Sequence, residues 1–154
     1  MTITLEVIEA KHSELSKLIE TFKQQAMRSE IAVPAVTISL SPGERYAGLI
    51  LGEDGKPSHH LILLSGEVNG KSWSESKEWA EERGGELPTR REQSLLFANL
   101  KQRFEKDWHW SAEEHESDSA YAWYQNFNDG IQSSVHKDDF SCRARAVRRL
   151  ILDY

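Results

Sequence analysis

The stretch from Trp73 to Arg149 restricts what this chain can fold into more than any other part of it. Trp73 and Trp79 precede Gly84-Gly85-Glu86-Leu87-Pro88-Thr89-Arg90-Arg91-Glu92, and then come Trp108-His109-Trp110-Ser111, Ala122-Trp123-Tyr124, Phe127 to Gly130, and Arg143-Ala144-Arg145-Ala146-Val147-Arg148. Ser72 with Glu75 and Thr89 with Glu92 are capping-box pairs: a hydroxyl and a carboxylate three residues apart satisfy each other's free amides at a helix start. They predict one helix after Ser72, with Trp73, Ser76, Trp79 and Ala80 on one face, and a second from about Arg90 to Phe104. Gly84-Gly85 ends the first, because glycine takes the left-handed backbone common beyond helix ends. Asp107 to Ser111, Tyr121 to Phe127, Gly130 to His136 and Cys142 to Leu152 read as short strands, with the acidic segment Ala112 to Ser119 as a loop.

Upstream, Ile3, Leu5 and Val7 alternate with polar residues as in a half-buried strand. From His12 to Met27 the apolar residues Leu15, Leu18, Ile19, Phe22 and Met27 recur near helical spacing, which predicts an amphipathic helix that packs on the domain's own sheet or joins copies of the chain. Val36 to Leu40 and Tyr46 to Leu51 are strand candidates separated by Ser41-Pro42-Gly43. His59 to Leu64 follows the Asp54-Gly55 turn, and its run Leu61-Ile62-Leu63-Leu64, apolar on both faces, predicts a central strand.

A chain of 154 residues is long enough for one domain, divided here into an N-terminal strand and helix (1–35) and a core (36–154). Its net charge of −6 argues against nonspecific binding to nucleic acid or an anionic membrane, both of which need a clustered positive field. The start of the chain lacks a basic segment followed by an apolar one, and Cys142 is the single cysteine, so a cytoplasmic setting without disulfides is the simplest expectation.

The landmarks of residues 73–149 resemble bacterial and phage domains grouped with the C-terminal domain of the Lcl adhesin, relatives of the C-type-lectin-like fold. The matching elements are Trp73, Gly84 to Glu92, Trp110-Ser111, Tyr121 to Trp123, Phe127, Gly130 and Arg145 to Arg148. Residues 46–66 look like versions carried by phages and prophages. The resemblance implies an α+β fold with two to three helices and a twisted, mostly antiparallel sheet. It also implies a family largely of unknown function.

The residues themselves favour structural roles for Trp73, Pro88, Thr89, Glu92, Trp110, Trp123, Arg145 and Arg148. Pro88 sets the entry to the second helix, Thr89 caps it, and Glu92 is expected to pair with Arg145 or Arg148 of the last strand. Glu-Pro-Asn and Gln-Pro-Asp sugar-binding signatures are absent from the sequence, and Asn126 to Gly130 reads first as a turn, so neither calcium nor another cofactor is expected. His109, Glu113, Glu114, His115, Glu116 and Asp118 concentrate metal-ligand side chains without a chelating spacing, and the adjacent His59 and His60 point to opposite faces. No nucleophile elbow or phosphate-cradling loop occurs in the sequence, which points away from an enzyme. The expected binding residues are Glu113, Glu114, His115, Glu116, Asp118, Tyr124, Asn128 and Asp129, on or beside polar loops that a rigid sheet can present. The function expected is a non-catalytic module of phage or prophage origin, acting in the host cell on a protein partner. The alternative is a virion-associated adhesin or tail accessory that binds a glycan or surface receptor.

Overall fold

The computed structural model describes residues 2–27 and 30–153. The chain divides into two compact units, Met1–Val33 and Pro34–Tyr154. In the first, α1 spans Leu5–Gln25, so the strand expected over Ile3 to Val7 is a helix start instead. The Thr4 hydroxyl accepts the Val7 amide and Glu6 lies in the first turn, which favour a helix beginning before His12, and Lys23 in the last turn suits its end. The alternation of Ile3, Leu5 and Val7 coincides with the beginning of a helical stripe that continues through Ile8 and Leu15, and over so short a window the two periods cannot be separated.

The second unit is built from β1 (Arg45–Leu51), β2 (Pro57–Leu63), β3 (Val68–Asn69), α2 (Trp73–Glu82), α3 (Arg90–Leu100), β4 (Trp108–Glu114), β5 (Tyr121–Asn126), β6 (Gln132–His136), β7 (Arg143–Ala144) and β8 (Val147–Ile151). The strands form two sheets, ordered β1-β2-β8 and β3-β7-β4-β5-β6, antiparallel throughout except where β4 meets β7. The protein is therefore α+β, with three α-helices among the described residues.

Both capping boxes are present at Ser72 and Thr89. Past α2, Gly84 has φ +77°, and Gly85 donates to the Ala80 carbonyl. A Cβ on Gly85 would sit 2.5 Å from the Val147 carbonyl oxygen, so this position also needs glycine for the close approach of β8. The helix expected to reach Phe104 stops at Leu100 and tightens into a 3-10 turn over Lys101–Arg103. That turn lets Phe104 leave the helix and stack on Phe127, with ring centroids 3.9 Å apart.

Three further expectations change. Val36 to Leu40 has no strand partner among the described residues. At the neighbouring β1, Ala47 sits in a register shift with its carbonyl accepting the Asn99 side chain at 2.6 Å, which draws α3 onto that strand. The loop expected from Ala112 begins only after Glu114, because β4 extends through Ala112 to Glu114 and rejoins β5 at Ala122. The single strand expected from Cys142 to Leu152 is two short ones in different sheets, with Arg145 and Ala146 crossing between them.

Each sheet carries its own core. Trp73, Leu87, Trp110, Ala122 and Ala144 fill one; Leu61, Leu63, Leu96, Phe104, Phe127 and Val147 fill the other. The run Leu61-Ile62-Leu63-Leu64, the last three residues of β2 and the one after it, is buried on both faces, as a central strand requires. Cys142 lies in the first core, where burial pushes its thiol up to about 12, so it is a packing residue and a poor nucleophile.

Candidate functional site

The N-terminus of α3, the β1–β2 hairpin and one end of β4, β6 and β8 enclose an open groove of about 630 Å³. Its floor is organised by Glu92, a side chain only 1% exposed. This carboxylate accepts the Thr89 amide at 3.3 Å as part of the helix cap. It also receives Arg149 through Nε, at 3.0 and 3.1 Å to its two oxygens, and through Nη2 at 2.8 Å. Arg149 continues to Glu86 at 2.6 Å. Burial opposes the Arg149 charge, but Glu92 and Glu86 outweigh it and hold the guanidinium above its ordinary value.

The expected latch between α3 and the last strand thus exists with a different arginine. Neither Arg145 nor Arg148 reaches Glu92. Arg148 forms a two-pronged pair with Glu44, at 2.8 and 3.0 Å, and donates to the Ser39 carbonyl. That contact holds the Glu44 carboxyl below the usual range. Arg145 lies over Phe104 and donates to the Leu64 and Arg103 carbonyls. Arg143 pairs with Asp107 and Glu67. The register of β8 decides the assignment: adjacent side chains face opposite sides of a strand, so Arg148 and Arg149 cannot share a partner. All four arginines of this segment are engaged internally, which argues against a basic face for phosphate.

His59 reaches the groove from β2, its Nε2 3.8 Å from Glu92. The neighbouring His60 bonds the Tyr46 hydroxyl through Nδ1 at 2.8 Å, so the two imidazoles serve different surroundings, as their adjacency predicts. Burial, ahead of the opposing pull of Glu92, keeps His59 below its ordinary value of 6.5. A depressed histidine contributes stability that is complete above 6.5 and is lost as pH falls through the lower folded value. Melting temperatures measured from about pH 8 to about pH 5 should therefore fall less steeply for His59→Asn than for the parent chain. Parallel profiles would exclude His59 as a source of the acid sensitivity.

The groove's other wall collects part of the expected binding set. Glu113 accepts the Arg90 backbone amide at 2.6 Å, so the anion-attracting start of α3 is filled by the protein's own carboxylate. The Arg90 guanidinium lies 3.5 Å over the Trp123 ring, donates to Gln132 at 3.0 Å and approaches Glu116 at 3.7 Å. His115 stacks on Trp123, with centroids 5.3 Å apart. Gln132 in turn donates to the Arg90 carbonyl and to Gln125, both at 2.8 Å. Glu113, His115 and Glu116 thus gather around Arg90 and Trp123.

The remaining expected residues lie outside this group. Glu114 pairs with Lys137 at 2.6 Å, Asp118 accepts the Ala120 amide, and Asp129 accepts the Ile131 amide. Asn128 donates its amide to the Asn126 side chain, which makes Asn126 to Gly130 a self-bonded turn. Tyr124 stacks on Trp108 at 4.0 Å. His109 is buried against Glu67 at 3.3 Å, with His109 holding that carboxyl below its usual range. Among the described residues no group of three or more histidine, cysteine or acidic side chains is placed to hold a metal. Nor is any helix among them long and apolar enough to cross a membrane.

Of the residues expected to be structural, Trp73, Trp110 and Pro88 tie elements together, while Arg145 and Arg148 do so without touching Glu92. Trp73 Nε1 donates to the Ser111 carbonyl at 2.7 Å, and Trp110 Nε1 to the Lys71 carbonyl at 3.2 Å. Pro88 is buried and its carbonyl accepts the Ala112 amide, joining the helix entry to β4. Sequence reasoning missed Arg90, Gln132, Arg149 and Glu44 as organising groups. Arg90 and Arg149 each stand beside a residue that was singled out, and only three-dimensional register separates them from those neighbours. No family model matches the chain, and no curated protein matches it at a significant level.

Proposed function

We propose that this chain is a non-catalytic binding module of phage or prophage origin, on a C-type-lectin-like scaffold, that recognises a protein partner in the host cell. The observation that carries this reading is the chemistry of the groove. Its buried carboxylate is saturated by Arg149 and the Thr89 amide, and Glu113 is bonded to the Arg90 amide. Groups held in this way bind and orient poorly as acids or bases, whereas a rigid recess of mixed polarity suits a protruding protein segment. Exposed Leu51, Glu53 and Arg91 on the rim supply an apolar contact and charges of both signs for that segment. Phage or prophage origin rests on the sequence resemblance.

The test is capture from lysate of the native host by the full chain and by Glu53→Lys and Arg91→Glu variants. Both side chains are exposed, so melting temperatures should stay within about 1 °C, since surface substitutions of this kind change stability little. The captured protein should fall at least about tenfold in yield with either variant, a loss of roughly 1.4 kcal/mol. Undiminished capture would remove the groove as the binding face. The stacked His115 and Trp123 rings favour one second reading, an adhesin that binds a glycan, because sugar faces pack on aromatic rings. Glycan-array binding without host-protein capture would support it.

A further inference from the structure

We infer that α1 is a self-association helix that pairs antiparallel with α1 of a second copy of this chain. Every described residue of the helix is exposed, including Leu5, Ile8, Leu15, Ile19 and Phe22, which are between 45% and 70% accessible. A 21-residue helix is about 31 Å long and is marginal in water without a surface to cover its apolar side.

The spacing on α1 specifies another helix as that surface. Leu5, Ile8, His12, Leu15, Ile19 and Phe22 follow one another at alternating intervals of three and four residues, the repeat that keeps a seam facing a partner helix in a left-handed supercoil. These residues occupy the two core positions of three successive heptads, with Leu18 broadening the stripe. Glu9, Ser16 and Lys23 flank it on one side, and Lys11 and Leu18 on the other.

Charge and core chemistry then select orientation. In a parallel, in-register pair His12 would face His12 of the second copy, Lys11 would flank its Ser16 and Leu18 its Lys23, so no opposite charges would meet. In the antiparallel pair Leu5 packs on Phe22, Ile8 on Ile19, and His12 on Leu15 of the second copy. Glu9 then lies beside Lys23 of the second copy, and two-fold symmetry makes that contact twice, which outnumbers the single approach of Lys11 to its own counterpart on the other flank. Lys23 is available for it: its one contact within the helix is Glu20 at 3.5 Å, with both groups largely exposed. The partner that fits this surface is therefore another copy of the same chain.

Sedimentation equilibrium of the full chain at low salt tests the inference. The expected species has twice the 17.6 kDa of one chain and dissociates on dilution. Leu15→Glu with Ile19→Glu should give monomers whose near-ultraviolet dichroism, reporting the tryptophans of residues 73–123, is unchanged. Glu9→Lys and Lys23→Glu should each weaken the dimer about tenfold by turning two attractions into two repulsions, and the double variant should restore it. A double variant as weak as the single ones overturns the antiparallel pairing. A chain monomeric at every concentration, or one that instead binds vesicles of phosphatidylcholine and phosphatidylglycerol through α1, overturns self-association itself.

Discussion

Glu92→Gln is expected to lower the unfolding free energy by about 3 kcal/mol, because removing one partner of a buried ion pair leaves the other charge poorly compensated. The melting temperature should drop by roughly 10 °C for a domain of this size. The carboxylate is 1% exposed and bonds both the Thr89 amide and the Arg149 guanidinium, so the glutamine keeps one bond to the cap but takes the buried anion from Arg149 and leaves it only the exposed Glu86. A double-mutant cycle identifies the partner. Glu92→Gln combined with Arg149→Gln should cost clearly less than the two single effects together, whereas Glu92→Gln combined with Arg148→Gln should be additive, since Arg148 answers to Glu44. Thermal unfolding of the five variants decides it. Strong coupling to position 148, or an unchanged melting temperature for Glu92→Gln, would sink the latch.

Trp110→Ala should cost about 4 kcal/mol, the range for emptying a large aromatic site in a packed core. Trp110 is fully buried at the centre of β4, its indole reaches the Lys71 carbonyl at 3.2 Å, and Tyr124 packs 6.1 Å from it. Trp110→Phe keeps much of the ring and loses the indole bond, so about 2 kcal/mol is expected from the orphaned carbonyl and the smaller volume. Urea midpoints should shift in that order with unchanged slopes. A shift for Trp110→Ala worth less than about 1 kcal/mol would mean that the site collapses around the missing ring. The Gln93 side-chain amide donates to the backbone carbonyls of His109 and Trp110 rather than to any side chain of β4, so these bonds survive either substitution and keep α3 tied to β4.

Features decided within a few residues were legible in advance. Ser72 to Glu75 and Thr89 to Glu92 close their hydrogen bonds over three positions, and the Asp54-Gly55 turn closes over four, with Gly55 at φ +77°. The buried run of β2 was equally plain, since four apolar residues in succession leave no face for water. Val36 to Leu40 fails the same kind of reading because strand propensity says only that a segment fits a sheet. Whether an edge is free to receive it depends on residues far away, here Asn99 at Ala47.

The candidate site divides along the same line. Glu113, His115 and Glu116 were recognisable as a polar surface on β4 and just beyond it, and Thr89 and Glu92 as a helix entry. Their convergence on Arg90, Trp123 and Gln132 was not, because it joins α3 to strands separated from it by 23 to 42 residues. The sequence alone determined the helix caps, the hairpin turn and the central strand, and it led to a latch between Glu92 and Arg145 or Arg148, neither of which reaches that carboxylate. Only the tertiary structure decided that Arg149 closes that latch, that the final strand is shared between two sheets, and that a groove opens at the start of α3. Local hydrogen bonds and burial are written in neighbouring residues. Strand register comes from packing between distant ones, and a shift of a single residue turns Arg148 away and Arg149 inward.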